Sequence, residues 1–447
     1  MSTLVSAHRS RARDLRHRLG RRLADRTAAG TKVVGQAPMP PAVRRALSVA
    51  VWRQGAAKVP LSKILLGGQN GLPAAALAEA TGDLLWGSRP VADGPHVALL
   101  RAGLAGPLTD AEVLASSYAD LARACIRLSG QYFGVTDDAG ILRLARDFLA
   151  LAAAPDAGGS ARPAPDGPAR PNQSEPGAPV LLAPVRDSDC YQVVDGHHRL
   201  AIEVVRGAVG IRAKVRRFAV TTPLQDVLDE MSWIGGEREL YQPVDAPELR
   251  AGYRVVRRCT DRLAMMAPLL EDVAAEADTA ARPPTYLDVA ACYGWFVDAV
   301  GQLGYDAEGI ERDPAAPRVA AALHGTDPAR MNVGDAVDFL AGGRQWDVVS
   351  CFSLLHHFVL GRGACPPEEL VRLLDRATGR VLFLDTGQAH EQWFRDSLPA
   401  WDTERVRSFL AEHTTFDQII DLGADQDAVP PYQDNYGRHL FACVRNR

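Results

Sequence analysis

The sequence holds no run of roughly 18 apolar residues, the length a membrane-spanning helix needs, and its beginning carries arginines where a secretory signal would carry a short apolar core. None of its seven cysteines form a CxxC pair: Cys125, Cys190, Cys259, Cys292, Cys351, Cys365 and Cys443 are scattered and odd in number. A disulfide framework and a zinc site are therefore not expected, no other metal constellation stands out, and the reducing cytoplasm is the expected compartment. The P-loop signature is missing, and no intact G-x-G-x-x-G follows a strand, which argues against a P-loop NTPase and an ordinary nicotinamide enzyme. Aromatics make up only 6% of the chain and are not interleaved with basic residues, so nucleic acid is not an expected partner.

The net charge of −4 is unevenly placed. Residues 1–60 hold 13 Lys and Arg against Asp14 and Asp25, leaving 37 bases against 52 acids in the remainder. One reading of this leader is a solvated, arginine-rich helix; the other is contact with nucleic acid, an anionic membrane surface or the protein's own acidic body. An acidic body opposes a broad phosphate footprint.

A length of 447 residues implies two or three domains. The pattern suggests a basic helical leader over 1–60, an α+β domain over 61–218, a helical connector over 219–282 and an α/β domain over 283–447. Over residues 40–85 helical patterns fall around 41–54 and Leu72–Thr81, and His96–Ala102 reads as a strand. A Thr109/Asp110 cap opens one helix running to Gly130, and another helix covers Ala139–Ala153. The stretch 155–178, dominated by Pro, Ala, Gly, Asp and Ser, reads as a disordered loop. APVLLAPV, CYQVVD and GIRAKVRR read as strands, and HHRLAIEVVRG as a helix closed by Gly207. Residues 222–275 read as mainly helical, broken at Gly235–Gly236 and Pro243. From Thr285 strands and helices alternate (TYLDVA, AEGIE, ARMNV, WDVVSCF, RVLFLD), the signature of a doubly wound, mostly parallel sheet.

The first strand of that alternation ends in LDVAACYGWF, with Asp288 followed by Ala290, Cys292 and Gly294 at alternate positions. Twenty-three residues after Asp288 the next strand ends in Glu311, where a carboxylate can accept from both hydroxyls of a ribose. The third strand leads to NVGDAVDFL with Asp335, and the fourth into CFSLLHHF with Ser353, His356 and His357. In order and spacing this set resembles the class I, Rossmann-like S-adenosylmethionine-dependent methyltransferases. Their pattern is an acid followed by three alternating glycines, so Ala290 and Cys292 depart from it. The resemblance implies S-adenosylmethionine as cofactor and Asp288, Ala290, Cys292, Gly294, Glu311, Asp335 and Ser353 as its site, with Asp335 meeting the adenine amino group. Taken singly, each has a plainer role: Asp288 as a turn cap, Glu311 as a loop acid, Asp335 as a helix N-cap, and His356 and His357 as histidines packed under a loop.

Transfer to an alcohol calls for a general base near the carboxyl ends of the fourth and fifth strands. The candidates are His356, His357, Asp385, His390 and Glu391, and a histidine sits closest to neutrality. Trp393, Trp295 and Tyr293 are candidates for an apolar wall, and Asp434, Asn435, Tyr436 and Gly437 for a closing loop. By elimination the expected acceptor is a small polar metabolite, a sugar or natural-product intermediate, methylated on oxygen.

In the first half, CYQVVDGHHRLAIEVVRG sets Asp195, Gly196, His197, His198 and Arg199 at one strand–helix junction, where helix-start amides and an arginine favour an anion. This segment resembles the ParB/sulfiredoxin-like superfamily, and its DGHHR form is similar to that of the archaeal free-serine kinases. The resemblance implies a phosphate or nucleotide site lined by Asp195, Gly196, His197, His198 and Arg199. A kinase would also need a glutamate from an earlier segment, for which Glu112 is a conceivable match. A turn kept for binding or docking, a phosphotransferase or a regulator supported by a methyltransferase fold all remain open.

Overall fold

The computed structural model describes residues 51–53, 55–153, 179–231, 238–279, 282–433 and 436–446. The arginine-rich stretch 1–50, the Pro- and Gly-rich stretch 155–178, Gly235–Gly236, and Asp434 with Asn435 lie outside them. The chain divides into two units, Met1–Glu230 with Asp245–Gly252, and Met231–Val244 with Tyr253–Arg447. Among the described residues no helix is long and apolar enough to cross a membrane.

The first unit carries β1 (Ala57–Pro60), β2 (Ile64–Leu65), α1 (Ala74–Thr81), α2 (Pro95–Ala105), α3 (Asp110–Leu114), α4 (Ser117–Ser129) and α5 (Asp138–Ala153). There follow β3 (Val180–Pro184), β4 (Tyr191–Asp195), α6 (His197–Val205), β5 (Gly210–Val215) and α7 (Pro223–Glu230). Its strands make one mixed sheet in the order β1-β5-β3-β4-β2. His96–Ala102, read as a strand, belongs to helix α2. Pro95 takes the first helical position, where its missing N–H costs nothing. Ala98, Arg101 and Ala102 are exposed while His96, Val97, Leu99 and Leu100 are buried, a helical rather than an alternating period. A short apolar run fits both patterns on paper. The expected single helix after Thr109 is two. Thr109 and Glu112 close a capping box on α3, and Ser116 then caps α4 by accepting from the Ala119 N–H.

The second unit opens with β6 (Glu239–Leu240) and β7 (Arg254–Val255), a parallel two-stranded ribbon, and α8 (Thr260–Thr279). Then come β8 (Thr285–Val289), α9 (Trp295–Gly301), β9 (Asp306–Glu311), α10 (Ala316–His324), β10 (Met331–Val333), α11 (Ala336–Ala341) and β11 (Trp346–Cys351). The unit ends with α12 (Leu355–Val359), α13 (Pro367–Ala377), β12 (Thr378–Leu384), α14 (Thr403–His413), β13 (Gln418–Ala424) and β14 (His439–Val444). Residues 219–282, expected as a helical connector, are thus shared between the two units, and 239–255 form a ribbon, turns and a short 3-10 helix (Pro247–Leu249) rather than an α-helix.

The seven strands β8–β14 form one sheet in the order β10-β9-β8-β11-β12-β14-β13. It is parallel from β10 to β12, with β14 antiparallel to β12 and β13 antiparallel to β14. Alternate residues serve opposite faces. Leu287, Val289, Val349, Leu382 and Leu384 join α13 and α14 in one core, while Tyr286, Val348, Val381 and Phe383 join α8 and α9 in the other. Burial on both faces is what makes these strands read as near-continuous apolar runs. From β8 the chain runs outward to β9 and β10, then returns to the other side of β8 as β11 and β12. The strand order therefore reverses between β8 and β11, where open α/β sheets place their ligand crevice.

Candidate functional site

The turn after β8 lies at that reversal. Ala290 (φ 61°) and Cys292 (φ 58°), standing where glycines were expected, both take the left-handed conformation, as does Ser353 (φ 57°) just past β11. For residues with a Cβ this costs on the order of 1–3 kcal/mol each and persists only where surroundings impose it. Gly294 (φ 78°) caps α9, and a Cβ there would meet Ala320 and the Met331 sulfur, each at 3.1 Å.

The surroundings that impose the strain are on hand. Ala291 N donates to the Ile310 carbonyl at 3.0 Å, and Cys292 N to Glu311 Oε2 at 3.0 Å. Gln242 latches the same turn: its Oε1 accepts from Tyr293 N (3.0 Å) and Trp295 N (3.2 Å), and its Nε2 donates to the Ala291 carbonyl at 3.2 Å. Gln242 is buried and was missed in the sequence, where it sat in a stretch read as connector.

Asp288 faces the neighbouring strand. Its Oδ1 accepts from Ser350 Oγ at 2.6 Å, and that hydroxyl also pairs with Tyr286 Oη at 2.6 Å. Burial lifts the Asp288 carboxyl to about 7, against the opposing pull of the Ser350 bond. Glu311, at the end of β9, accepts from Arg312 N and Asp313 N on Oε1 as well as from Cys292 N on Oε2. Burial raises its pKa, and those three backbone donors oppose the rise. Asp335 is exposed and caps α11, accepting from Val337 N at 2.8 Å. The site thus gathers Ala290, Cys292, Gly294 and Glu311 about one turn, ties Asp288 into the sheet, and leaves Asp335 at a helix start.

The loops after β11 and β12 revise the list of candidate bases. Asp385 is fully buried and paired with Arg262 at 2.6 Å, with Arg257 at 3.6 Å, and accepts from Ser353 N at 2.8 Å. Burial alone would raise its pKa, but Arg262, Arg257 and Arg438 outweigh it and hold the carboxyl well below the usual carboxylate range. It anchors an ion-pair cluster and has no basicity to offer. Glu391 is likewise spent, in a buried two-pronged pair with Arg438 at 2.7 and 2.8 Å. His356 is buried, its Nδ1 accepts from Gly387 N at 3.1 Å, and burial followed by Arg438 and His357 pushes its pKa down to about 2. With Nδ1 already accepting from Gly387 N, that lone pair is engaged within the fold. His357 is exposed, stands 4.2 Å from the His356 ring, and is also pushed down, by desolvation and then Arg362.

His390 is placed differently from these. It is exposed, and its Nε2 lies 3.0 Å from the Tyr436 carbonyl. A carbonyl only accepts, so Nε2 carries the proton and Nδ1 presents the lone pair. Trp393 stands 5.4 Å from Tyr436 and is exposed, whereas Tyr293 is core. Ser353 is held on three sides: its Oγ receives Arg438 Nη1 at 2.8 Å and Arg257 Nη1 at 3.3 Å and lies 3.3 Å from Asp385 Oδ1. Arg257, Arg262 and Arg438 were not foreseen, because nothing in their local pattern distinguishes them from surface arginines.

In the first unit, β4, Gly196 (φ 97°) and α6 form the expected junction, but the histidines point elsewhere. His197 is buried and stacks on His96 at 5.6 Å. His198 pairs with Tyr118 Oη at 2.9 Å and stands edge-on to His96 and Phe148. Burial pushes His197 to about 4, and burial with His197 as neighbour pushes His198 to about 3. They are uncharged interior groups, so the expectation that they line an anion site is corrected. The organising partner is His96, 3.0 Å from Gln69 Nε2, which the strand reading of 96–102 had hidden. Arg199 remains at the turn, 3.8 Å from Asp195, with both terminal guanidinium nitrogens lacking a hydrogen bond.

No family model and no curated protein matches the sequence. Solved structures do match. The bifunctional kinase-methyltransferase WbdD aligns at 20% identity and TM-score 0.35 over 50% of this chain and 46% of its own. Magnesium protoporphyrin IX methyltransferase from Synechocystis PCC 6803, with bound SAM, aligns at 14% identity and TM-score 0.28 over 42% of this chain and 83% of its own. The chain spans less than half the length of the WbdD structures it matches. Likenesses of this strength carry nothing about chemistry.

Proposed function

We propose that the second unit binds S-adenosylmethionine at the β8–β11 reversal and directs its methyl group to an oxygen of a small polar acceptor, a sugar or natural-product intermediate. The observation that carries this reading is the convergence of three strained, non-glycine residues, Ala290, Cys292 and Ser353, on the ends of the two strands flanking the switch point, beside Glu311. When bound, S-adenosylmethionine supplies an electrophilic methyl group on a sulfonium. The left-handed turn opens the backbone toward the cofactor, Gln242 fixes that shape, and Glu311 receives the ribose hydroxyls. His390 takes the acceptor's hydroxyl proton at Nδ1, its ring set by the Tyr436 carbonyl.

Calorimetry with S-adenosylmethionine and S-adenosylhomocysteine tests the reading. Glu311→Gln, which keeps an oxygen for the Cys292 N–H, should weaken binding by roughly 10- to 100-fold, the worth of charge-assisted hydrogen bonds. His390→Ala should bind cofactor normally and slow turnover by about 10²–10⁴. No binding by the wild type at millimolar cofactor, or an unchanged Kd in Glu311→Gln, sinks the assignment.

A second reading concerns the first unit. The unbonded guanidinium nitrogens of Arg199 beside the α6 N-terminus favour a phosphorylated ligand or nucleotide there, with Asp195 and Gly196 completing the turn. Titrating ATP, ADP and CTP against wild type and Arg199→Ala separates this from a purely structural turn.

A further inference from the structure

Three guanidiniums and three carboxylates are packed together near the carboxyl ends of β11 and β12, all of them buried: Arg257, Arg262, Arg438, Asp385, Asp425 and Glu391. Their charges balance, but their hydrogen bonds do not. Arg262 takes Asp385 at 2.6 Å and Asp425 at 2.8 Å. Arg438 takes both oxygens of Glu391. Arg257 lies 3.6 Å from Asp385 and 3.5 Å from Asp425 Oδ2, an oxygen that is itself without a hydrogen bond, and its own hydrogen bond goes to Ser353 Oγ at 3.3 Å. Its Nε and Nη2 are buried without a hydrogen bond, on a side chain only 5% exposed; Arg262 shares the deficit at Nη1 and Nη2 but keeps a 2.6 Å bond from Nε to Asp385.

A guanidinium cannot shed its proton to escape that position, and a buried donor without an acceptor is costly, the more so when charged. Its flat face is taken by the Tyr436 ring, 4.2 Å away, so only the edge of the fork is left to bond. Tyr436 also leaves its own hydroxyl without a hydrogen bond.

Resting on the reading of the second unit as a methyltransferase, we infer that Arg257, with Arg438 and Ser353 beside it, is the recognition site for a carboxylate carried by the methyl acceptor. A planar, singly charged carboxylate suits the edge of a guanidinium fork. A phosphate, with up to two charges, would meet the repulsion of Asp385, Asp425 and Glu391 around it. The site lies at Ser353, just past β11, while Glu311 ends β9 on the other side of β8. The acceptor class narrows accordingly, from polar metabolites in general to hydroxy acids, including sugar acids and phenolic acids.

Benzoate and its neutral isostere benzamide are the probes, titrated by calorimetry against the full chain, alone and saturated with S-adenosylhomocysteine. Wild type should bind benzoate in the millimolar range and benzamide at least roughly tenfold more weakly, the ratio for one lost charge-assisted pair. Arg257→Gln should erase that preference while leaving the S-adenosylhomocysteine Kd within about twofold. Arg257→Lys keeps the charge among Asp385 and Asp425 and covers the case in which Gln fails to fold; losing the fork should still reduce the preference severalfold. Equal binding of acid and amide, no benzoate binding at 50 mM (about ten times the expected Kd), or a preference unchanged in both variants overturns the inference. A matching loss of S-adenosylhomocysteine affinity also overturns it, by giving the guanidinium to the cofactor. Failure of wild type to bind S-adenosylhomocysteine at all would instead strike the methyltransferase reading, since the acid–amide comparison is read on the unliganded protein as well.

Discussion

The protein has two strand–turn–helix junctions that look alike as text, β4–Gly196–α6 in the first unit and β8–Gly294–α9 in the second. Both put a glycine at the helix cap, an acid at or near the strand end and polar or small residues between. In space they are opposites. At the first, the side chains His197 and His198 turn inward to pack with His96, Tyr118 and Phe148, and the backbone is relaxed apart from one glycine. At the second, the side chains are small or tied down, and the backbone holds the tension at Ala290 and Cys292 under the grip of Gln242 and Glu311. At the first junction the histidines are spent on the core; at the second the backbone is held in shape by side chains from outside the turn.

The largest expected effect breaks the comparison on the histidine side. His197 and His198 have folded-state pKa values near 4 and 3, below the usual 6.5, so between those values the unfolded chain binds the extra protons. Stability from these groups is therefore full above about pH 6.5 and is lost as pH falls toward 4, at up to roughly 1.4 kcal/mol per pH unit for each histidine. Thermal melts from pH 7.5 to 4.5 should show the loss, and His197→Phe should flatten it; a profile indifferent to that change would mean the ring is not buried neutral. Next comes the latch. Gln242→Ala removes three hydrogen bonds to the β8–α9 turn and should weaken S-adenosylmethionine binding by about 1–3 kcal/mol, with the first unit's melting unmoved. An unaltered Kd would show that the turn keeps its shape unaided. The smallest effect contrasts the two junctions directly. Cys292→Gly should stabilise the second unit by about 1 kcal/mol, because a left-handed residue loses its Cβ strain. Gly196→Ala should destabilise the first by at least as much, since φ is 97° and the new Cβ would stand 3.0 Å from Arg199. Denaturant midpoints decide both, and a destabilising Cys292→Gly would mean the thiol contributes packing that outweighs the strain.

The parallel sheet was readable because β8 to β12 are apolar on both faces and regularly spaced, and the turn residues were readable because sequence spacing places strand ends. What escaped had a common cause. Gln242 reaches Tyr293 across 51 positions and Arg262 reaches Asp385 across 123, and no periodicity connects such pairs. Asp385, His356 and Glu391 were candidate bases by residue type, but type is silent about whether a carboxylate is already engaged or an imidazole already desolvated. β13, a half-buried edge strand reading QIIDLGA, lacks the double-faced burial that made its neighbours conspicuous. In the first unit the same ambiguity of short apolar runs turned α2 into a strand and separated His96 from the histidines it organises.

The antiparallel pair at the sheet's margin has a consequence for how the molecule is made. β14 lies between β12 and β13, so β13 cannot join the sheet until the segment that follows it has been synthesised. Arg438, the residue just before β14, is also the partner of Glu391 and Ser353. On the ribosome, the strands from β8 to β12 can pair as they emerge, while Glu391 waits for Arg438 and β12 keeps an open edge for the time it takes to translate some fifty further residues, a few seconds at ordinary elongation rates of roughly 5–20 residues per second. During that interval the nascent domain exposes an apolar strand edge, and its guard against misassociation has to come from speed, from the acidic character of the chain, or from a chaperone.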